Sequence, residues 1–80
     1  MIDRLLGKKV VGIKQVTKAL NNDQGLKLYV AEDADSKITI PIVSIAEEKN
    51  IEIEYIATMK YLGKMCGIEV GSAATLILKE

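Results

Sequence analysis

Short apolar runs alternate with helix-patterned segments along this chain, and that alternation restricts the possible folds more than any other feature. Val10–Ile13 is a compact apolar run and predicts a strand. In Lys14–Asn21, the residues Val16, Ala19 and Leu20 recur three and four positions apart, so they share one side of a helix. Lys14, Gln15 and Lys18 then fall on another side. Asn21–Gly25 is a turn cluster, and Leu26–Ala31 predicts a buried strand. Glu32–Ser36 is a polar loop rich in helix-capping residues. The helix after it is predicted to run to about Asn50, with Pro41 in its first turn. Ile42, Ile45 and Ala46 form its inner stripe, and Glu47, Glu48 and Lys49 its wet side. Ile51–Ile56 alternates with a period of two, the mark of a strand covered on one face. Thr58 can cap a helix over Met59–Cys66 that Gly67 ends. Ile68–Ala73 is a small-residue loop and Ala74–Leu78 a last strand. A short helix is also predicted over Ile2–Leu6.

The resulting order, αβαβαβαβ, implies an α/β fold whose sheet carries helices on both faces. The 80 residues suit a single domain over 1–80, with no linker, repeat or low-complexity stretch. Three Tyr are the only aromatics, so Ile, Val, Leu and Ala must build the core. That scarcity argues against modules that stack nucleic-acid bases on aromatic platforms. Cys66 is alone, which excludes an intramolecular disulfide and fits a reducing compartment. No basic-then-apolar leader is visible, and no apolar run nears the roughly 18 residues of a membrane span. A cytoplasmic protein without a membrane partner is expected. Nothing suggests a dimer seam, so a monomer is expected.

Net charge is zero, yet it is unevenly spread. Residues 1–31 carry +4, residues 32–54 carry −5, and residues 55–80 carry +1. A local basic face matters more for docking a polyanion than the total does. Two solvated surfaces of opposite sign are the other reading.

Signals for catalysis are weak. The chain has no His, its single Cys lacks the partner base of a thiol nucleophile, and no glycine-rich phosphate loop is present. Asp33 with Asp35, and Glu47 with Glu48, are carboxylate pairs of the kind that bind Mg²⁺. Their positions are better explained by helix capping and by an exposed helix face. No enzyme, metal or cofactor is expected. Gly12–Lys18 is more informative, because a glycine ends a strand and a helix starts at once. The first helical turn exposes unpaired N–H groups and a positive dipole end, which favour phosphate. Lys14 and Lys18 add charge, and the Gln15 carboxamide can both donate to and accept from a base edge. Lys and Gln also occupy wet helix faces for no further reason.

Two segments about 50 residues apart carry a resemblance. Gly12-Ile13-Lys14-Gln15-Val16-Thr17-Lys18-Ala19-Leu20 and Leu62-Gly63-Lys64-Met65-Cys66-Gly67-Ile68-Glu69-Val70-Gly71-Ser72-Ala73-Ala74 look like signature segments of the kink-turn-binding family of large-subunit ribosomal proteins. Val30–Asp35 and Glu47–Asn50 match in order. The resemblance runs from about Val10 to Leu78 and is nearest to the short stand-alone bacterial members. It implies a three-layer α/β/α sandwich with a mixed four-stranded sheet. It also implies a structured RNA partner: a duplex bent at a three-nucleotide bulge beside tandem sheared G·A pairs, in ribosomal or riboswitch-like RNA.

The family's first motif is glycine, any residue, asparagine, glutamate, two residues, lysine. Gly12 and Lys18 match it, while Lys14 replaces the asparagine and Gln15 the glutamate. Bacterial members resemble this chain in having Lys-Gln here. A neutral Gln15 carbonyl accepts more weakly than a glutamate, so weaker base readout and more reliance on the RNA backbone are implied. Ile68, Glu69, Val70, Gly71, Ser72 and Ala73 resemble the loop that packs on the bulged nucleotides. Asp35 falls where some relatives place an acidic group near a flipped-out base. Ile13 belongs to the candidate surface as part of the first motif. Lys8 and Lys9 are phosphate contacts by position only. The alternative is a protein-interaction module of the same fold that docks through its acidic 32–54 region.

Overall fold

The computed structural model describes residues 7–79, so the helix expected over Ile2–Leu6 lies outside the described residues. The elements are β1 (Lys9–Val11), α1 (Ile13–Asn21), β2 (Gly25–Ala31), α2 (Ser36–Glu48), β3 (Glu52–Ile56), α3 (Met59–Met65) and β4 (Ala74–Leu78). Their order matches the expected alternation, with two corrections of detail. Ile13 opens α1 instead of closing β1, because Gly12 leaves extended geometry at a φ of 98°. Pro41 sits in the second turn of α2, since Asp35 caps the helix and Ser36 begins it. The missing Pro41 N–H leaves the Lys37 carbonyl without its helical donor, which solvent exposure at Lys37 makes tolerable.

The sheet order is β1-β4-β2-β3. β4 runs antiparallel to both β1 and β2, and β3 runs parallel to β2. The last strand in sequence is therefore central, with Leu76 opposite Val10 on one side and Leu28 on the other. Strand alternation sends Leu28, Val30, Ala74 and Leu76 to one face. Val16, Ala19 and Leu20 of α1, and Ile42 and Ala46 of α2, cover that face and form the main core. Ile45 is only half-buried at its margin, while Thr39 is buried in its place along the α2 stripe. Leu62 and Met65 of α3 cover the opposite face, over Ala31 and Ile56. The three layers are α1 with α2, the sheet, and α3. Leu20, Leu28, Ile42 and Leu76 are fully buried, and each contributes roughly 1.5–3 kcal/mol of apolar burial.

Strand direction decides where function can sit. β1 and β2 both oppose β4, and β3 follows β2, so β1, β2 and β3 all end at one edge of the sheet. Helices α1, α2 and α3 start at that edge, and the loop into β4 returns to it. The carboxyl ends of strands in open α/β sheets are the usual place for ligands.

At the other end, Asp23 pairs with Lys49 at 2.5 Å beside a 260 Å³ cavity lined by Gly25, Leu26, Asn50, Ile51 and Lys79. The Lys49 hydrogen bond holds the Asp23 carboxyl below its ordinary value. A lowered folded value means the pair stabilises the fold above the unfolded Asp pKa of about 3.9 and stops doing so as pH falls through the folded value. Urea unfolding should therefore find Asp23→Asn less stable than wild type at pH 7 and equal to it in strong acid. A gap that persists unchanged at low pH would assign the stabilisation to something other than this pair.

Candidate RNA interface

Two backbone facts shape the start of α1. Gly12 adopts a φ of 98°, which side chains with a Cβ rarely take, and it turns the chain from β1 into the helix. Its N–H donates to the Ala74 carbonyl at 3.0 Å, and its carbonyl accepts from Val16 N–H at 2.9 Å. No side chain caps the helix, and its first turn holds no acidic residue. The first-turn N–H groups thus face outward in a setting that favours an anion. Val16, Ala19 and Leu20 anchor the buried side, which leaves Lys14, Gln15 and Lys18 exposed as their spacing predicts. Ile13 is half-buried and packs on the main core, so its side chain seats the helix while its backbone opens the first turn.

The loop from α3 to β4 is built on a close approach. Ile68 N–H donates to the Gly63 carbonyl at 3.1 Å, and Val70 passes directly over Gly63. A Cβ placed on Gly63 would lie 2.1 Å from the Val70 carbonyl oxygen, which explains a glycine inside a helix. Gly71 rests on Met59, where an added Cβ would meet the Met59 Cβ at 3.2 Å. Ser72 is buried, and its N–H donates to the Met59 carbonyl at 3.0 Å. Its hydroxyl donates to the Ala74 carbonyl at 2.8 Å and lies 3.1 Å from Thr75 Oγ1, which in turn lies 3.0 Å from Cys66 Sγ. Ser72 therefore anchors the loop from within. Glu69 and Val70 face outward, with Val70 70% exposed, whereas Ile68 and Ala73 are half-buried.

The Ala74 carbonyl joins the two segments, because Gly12 N–H and Ser72 O–H both donate to it. Ala31 N–H donates to the Ala73 carbonyl at 2.9 Å, which brings the end of β2 to the same place. Asp35, a few residues on, is exposed and accepts from Lys37 N–H at 2.9 Å as the cap of α2. Among the described residues only its Oδ1 is engaged in a hydrogen bond. Lys8 and Lys9, by contrast, lie at the opposite end of β1 from Gly12.

Sequence reasoning does not single out Gly63, Met59 or Asp33 as parts of this surface. Asp33 accepts from Met59 N–H at 2.7 Å, across 26 positions of sequence. A glycine inside a helical pattern is the signal that points to Gly63, since such a residue usually has a packing reason. No local signal identifies the Asp33 contact.

The profile of the ribosomal protein L7Ae/L30e/S12e/Gadd45 family matches residues 5–80. The chain belongs to this family. The family is non-enzymatic, in keeping with the missing catalytic signals. An RNA-binding protein of Caldanaerobacter subterraneus subsp. tengcongensis is 47% identical over 91% of this chain and 89% of its own length. The RNA-binding protein YbxF of Geobacillus stearothermophilus is 42% identical over the same shares. Among solved structures, the Giardia lamblia 15.5kD RNA binding protein superposes with a TM-score of 0.83 at 23% identity. That match covers 90% of this chain and 61% of the Giardia protein, and it establishes the shared fold. No helix among the described residues is long and apolar enough to cross a membrane.

The close approach at Gly63 is directly testable. Gly63→Ala forces the Val70 backbone away, and overpacking of this kind costs about 1–3 kcal/mol. Chemical denaturation should register that loss, and amide shifts should move along Ile68–Ser72 while those of the α1–α2 layer hold still. A Gly63→Ala variant as stable as wild type, with an unshifted loop, would refute the contact.

Proposed function

We propose that this chain is a non-enzymatic RNA-binding protein that recognises and stabilises kink-turns in structured RNA. One observation supports the reading above others. The two motif segments meet on a single carbonyl, so the uncapped start of α1 and the outward face of the 68–73 loop form one surface. Relatives covering nearly the whole chain at 42–47% identity are described as RNA-binding proteins.

Each group has a distinct task in this reading. The first-turn N–H groups, Lys14 and Lys18 hold phosphates on the two sides of the bend. Gln15 reads a base edge, donating through its amide and accepting through its carbonyl. Val70, with Ile68 and Ala73 behind it, covers unstacked bases, and Gly71 seats the loop closely on Met59 beneath them. Glu69 stands exposed beside Val70 on the same loop. Asp35 offers its uncommitted oxygen to a flipped-out base. The protein acts by population shift: it binds the bent duplex better than the extended one and so favours the bend. Candidate targets are ribosomal RNA and riboswitch-like leaders.

A protein-docking role for the acidic 32–54 region fits the geometry less well. Asp33 and Asp35 both serve as helix caps at the candidate RNA end. Glu52 and Glu54 flank Lys27 on the α3 face of the sheet, at 3.2 and 2.9 Å, and Glu54's hydrogen bond holds the Lys27 ammonium above its usual range. Glu47 and Glu48 end α2 on the other face. These carboxylates make no common surface.

Titration against a standard kink-turn, and against the same RNA with its sheared pairs replaced by Watson–Crick pairs, tests the proposal. The kink-turn should bind more tightly, and affinity should fall steeply with salt because lysines carry much of the contact. Equal, weak binding to both RNAs sinks it. Gln15→Ala and Lys18→Ala should each reduce the discrimination between the two RNAs. For Gln15, loss of one base contact should cost about 1–3 kcal/mol on the kink-turn and little on the control. If both variants discriminate as wild type does, the site lies elsewhere on the molecule.

A further inference from the structure

We infer that Asp33 is a positioning residue of the RNA surface, holding the 68–73 loop in place through Met59 without touching the RNA itself. The inference rests on the RNA-binding reading for its functional consequence, but its structural core stands apart from it. Asp33 lies in the connection between β2 and α2, and its Oδ1 accepts from the N–H of Met59, the first residue of α3. Thr58 already caps that helix locally, by accepting from Tyr61 N–H at 3.0 Å. Asp33 is thus a second cap delivered from a distant segment, and its negative charge suits a helix start.

Met59 passes the constraint on. Its carbonyl accepts from Ser72 N–H, and its Cβ lies against Gly71. Ser72 then donates to the Ala74 carbonyl, where Gly12 also donates. The chain of contacts runs from Asp33 through Met59, Ser72 and Ala74 to Gly12. It links the loop that carries Asp35, the 68–73 loop and the start of α1. Releasing Met59 from Asp33 frees the support under Gly71 and Ser72, and with it the outward presentation of Glu69 and Val70.

Charge and positioning make opposite predictions here, which gives the test its force. Asp33 is an exposed carboxylate beside a surface meant for a polyanion. If only its charge matters, removing it should tighten RNA binding. If it positions the loop, removing it should weaken binding despite the charge gain. Asp33→Asn deletes the charge and keeps an acceptor oxygen, whereas Asp33→Ala deletes both.

Both variants and wild type are titrated against the kink-turn and its Watson–Crick control, and amide exchange is followed in the free proteins. Asp33→Ala should bind the kink-turn about tenfold more weakly, a loss on the scale of one helix cap, mainly through faster dissociation. Asp33→Asn should bind at least as tightly as wild type. Exchange at the Met59 and Ser72 amides should speed up in Asp33→Ala and stay slow in Asp33→Asn. Binding by Asp33→Ala as tight as wild type overturns the inference, as does an Asp33→Asn as weak as Asp33→Ala. Unaltered Ser72 exchange in Asp33→Ala overturns it whatever the RNA does. A wild type that fails to tell the two RNAs apart would instead defeat the kink-turn reading, and the exchange data would still decide the role of Asp33.

Discussion

One carbonyl oxygen organises the functional end of this molecule. Ala74 is the first residue of a strand that comes last in sequence yet sits between β1 and β2. A carbonyl carries two lone pairs, and here both have donors: the Gly12 N–H and the Ser72 hydroxyl. The Gly12 bond fixes where the chain leaves the sheet to become α1. The Ser72 bond turns that side chain inward, while Glu69 and Val70 of the same loop are exposed. Ala74 is wholly buried and Ser72 nearly so, which makes either bond expensive to leave unmade. Two stretches of chain far apart in sequence are therefore held in one arrangement before any ligand arrives.

Most elements are legible from the residues because their signals are local. Val16, Ala19 and Leu20 announce α1 by spacing alone, and Thr58 announces the start of α3; the structure places each within a residue or two of expectation. Failures occur where a distant contact decides. Ile13 looks like the end of an apolar strand, and only the turn at Gly12 and packing on the core assign it to α1. Pro41 suggests a helix start, yet the Asp35 cap begins α2 earlier. The central position of β4 is a pairing between remote segments, and no periodicity encodes it. The candidate site divides along the same line. Lys14, Gln15 and Lys18 can be read off a helix face. The inward turn of Ser72, the bare Cα of Gly63 and the reach of Asp33 to Met59 exist only once the chain is folded.

The charge pattern shows the same contrast between linear and folded views. Along the chain, a basic first third precedes an acidic middle, which reads as a polarised molecule. In the fold, the acidic middle separates: Asp33 and Asp35 cap helices with Glu32 exposed beside them, Glu52 and Glu54 embrace Lys27, and Glu47 and Glu48 remain wet at the end of α2. On the proposed reading, attraction for phosphate at this surface comes from Lys14, Lys18 and the backbone dipoles of α1, and little from net charge.

The placement of Glu52 and Glu54 has a further consequence for life at high concentration. Among the described residues β3 is an outer strand of the sheet, and an outer strand's backbone edge can template pairing with another chain. Both glutamates keep much of their side chains in water, with 71% and 49% exposed. A second strand laid along that edge would crowd and dehydrate them while Lys27 is already occupied. The ion cluster that looks like surface decoration thus sets hydrated charge along the sheet's outer strand, an arrangement that disfavours the addition of a further strand there.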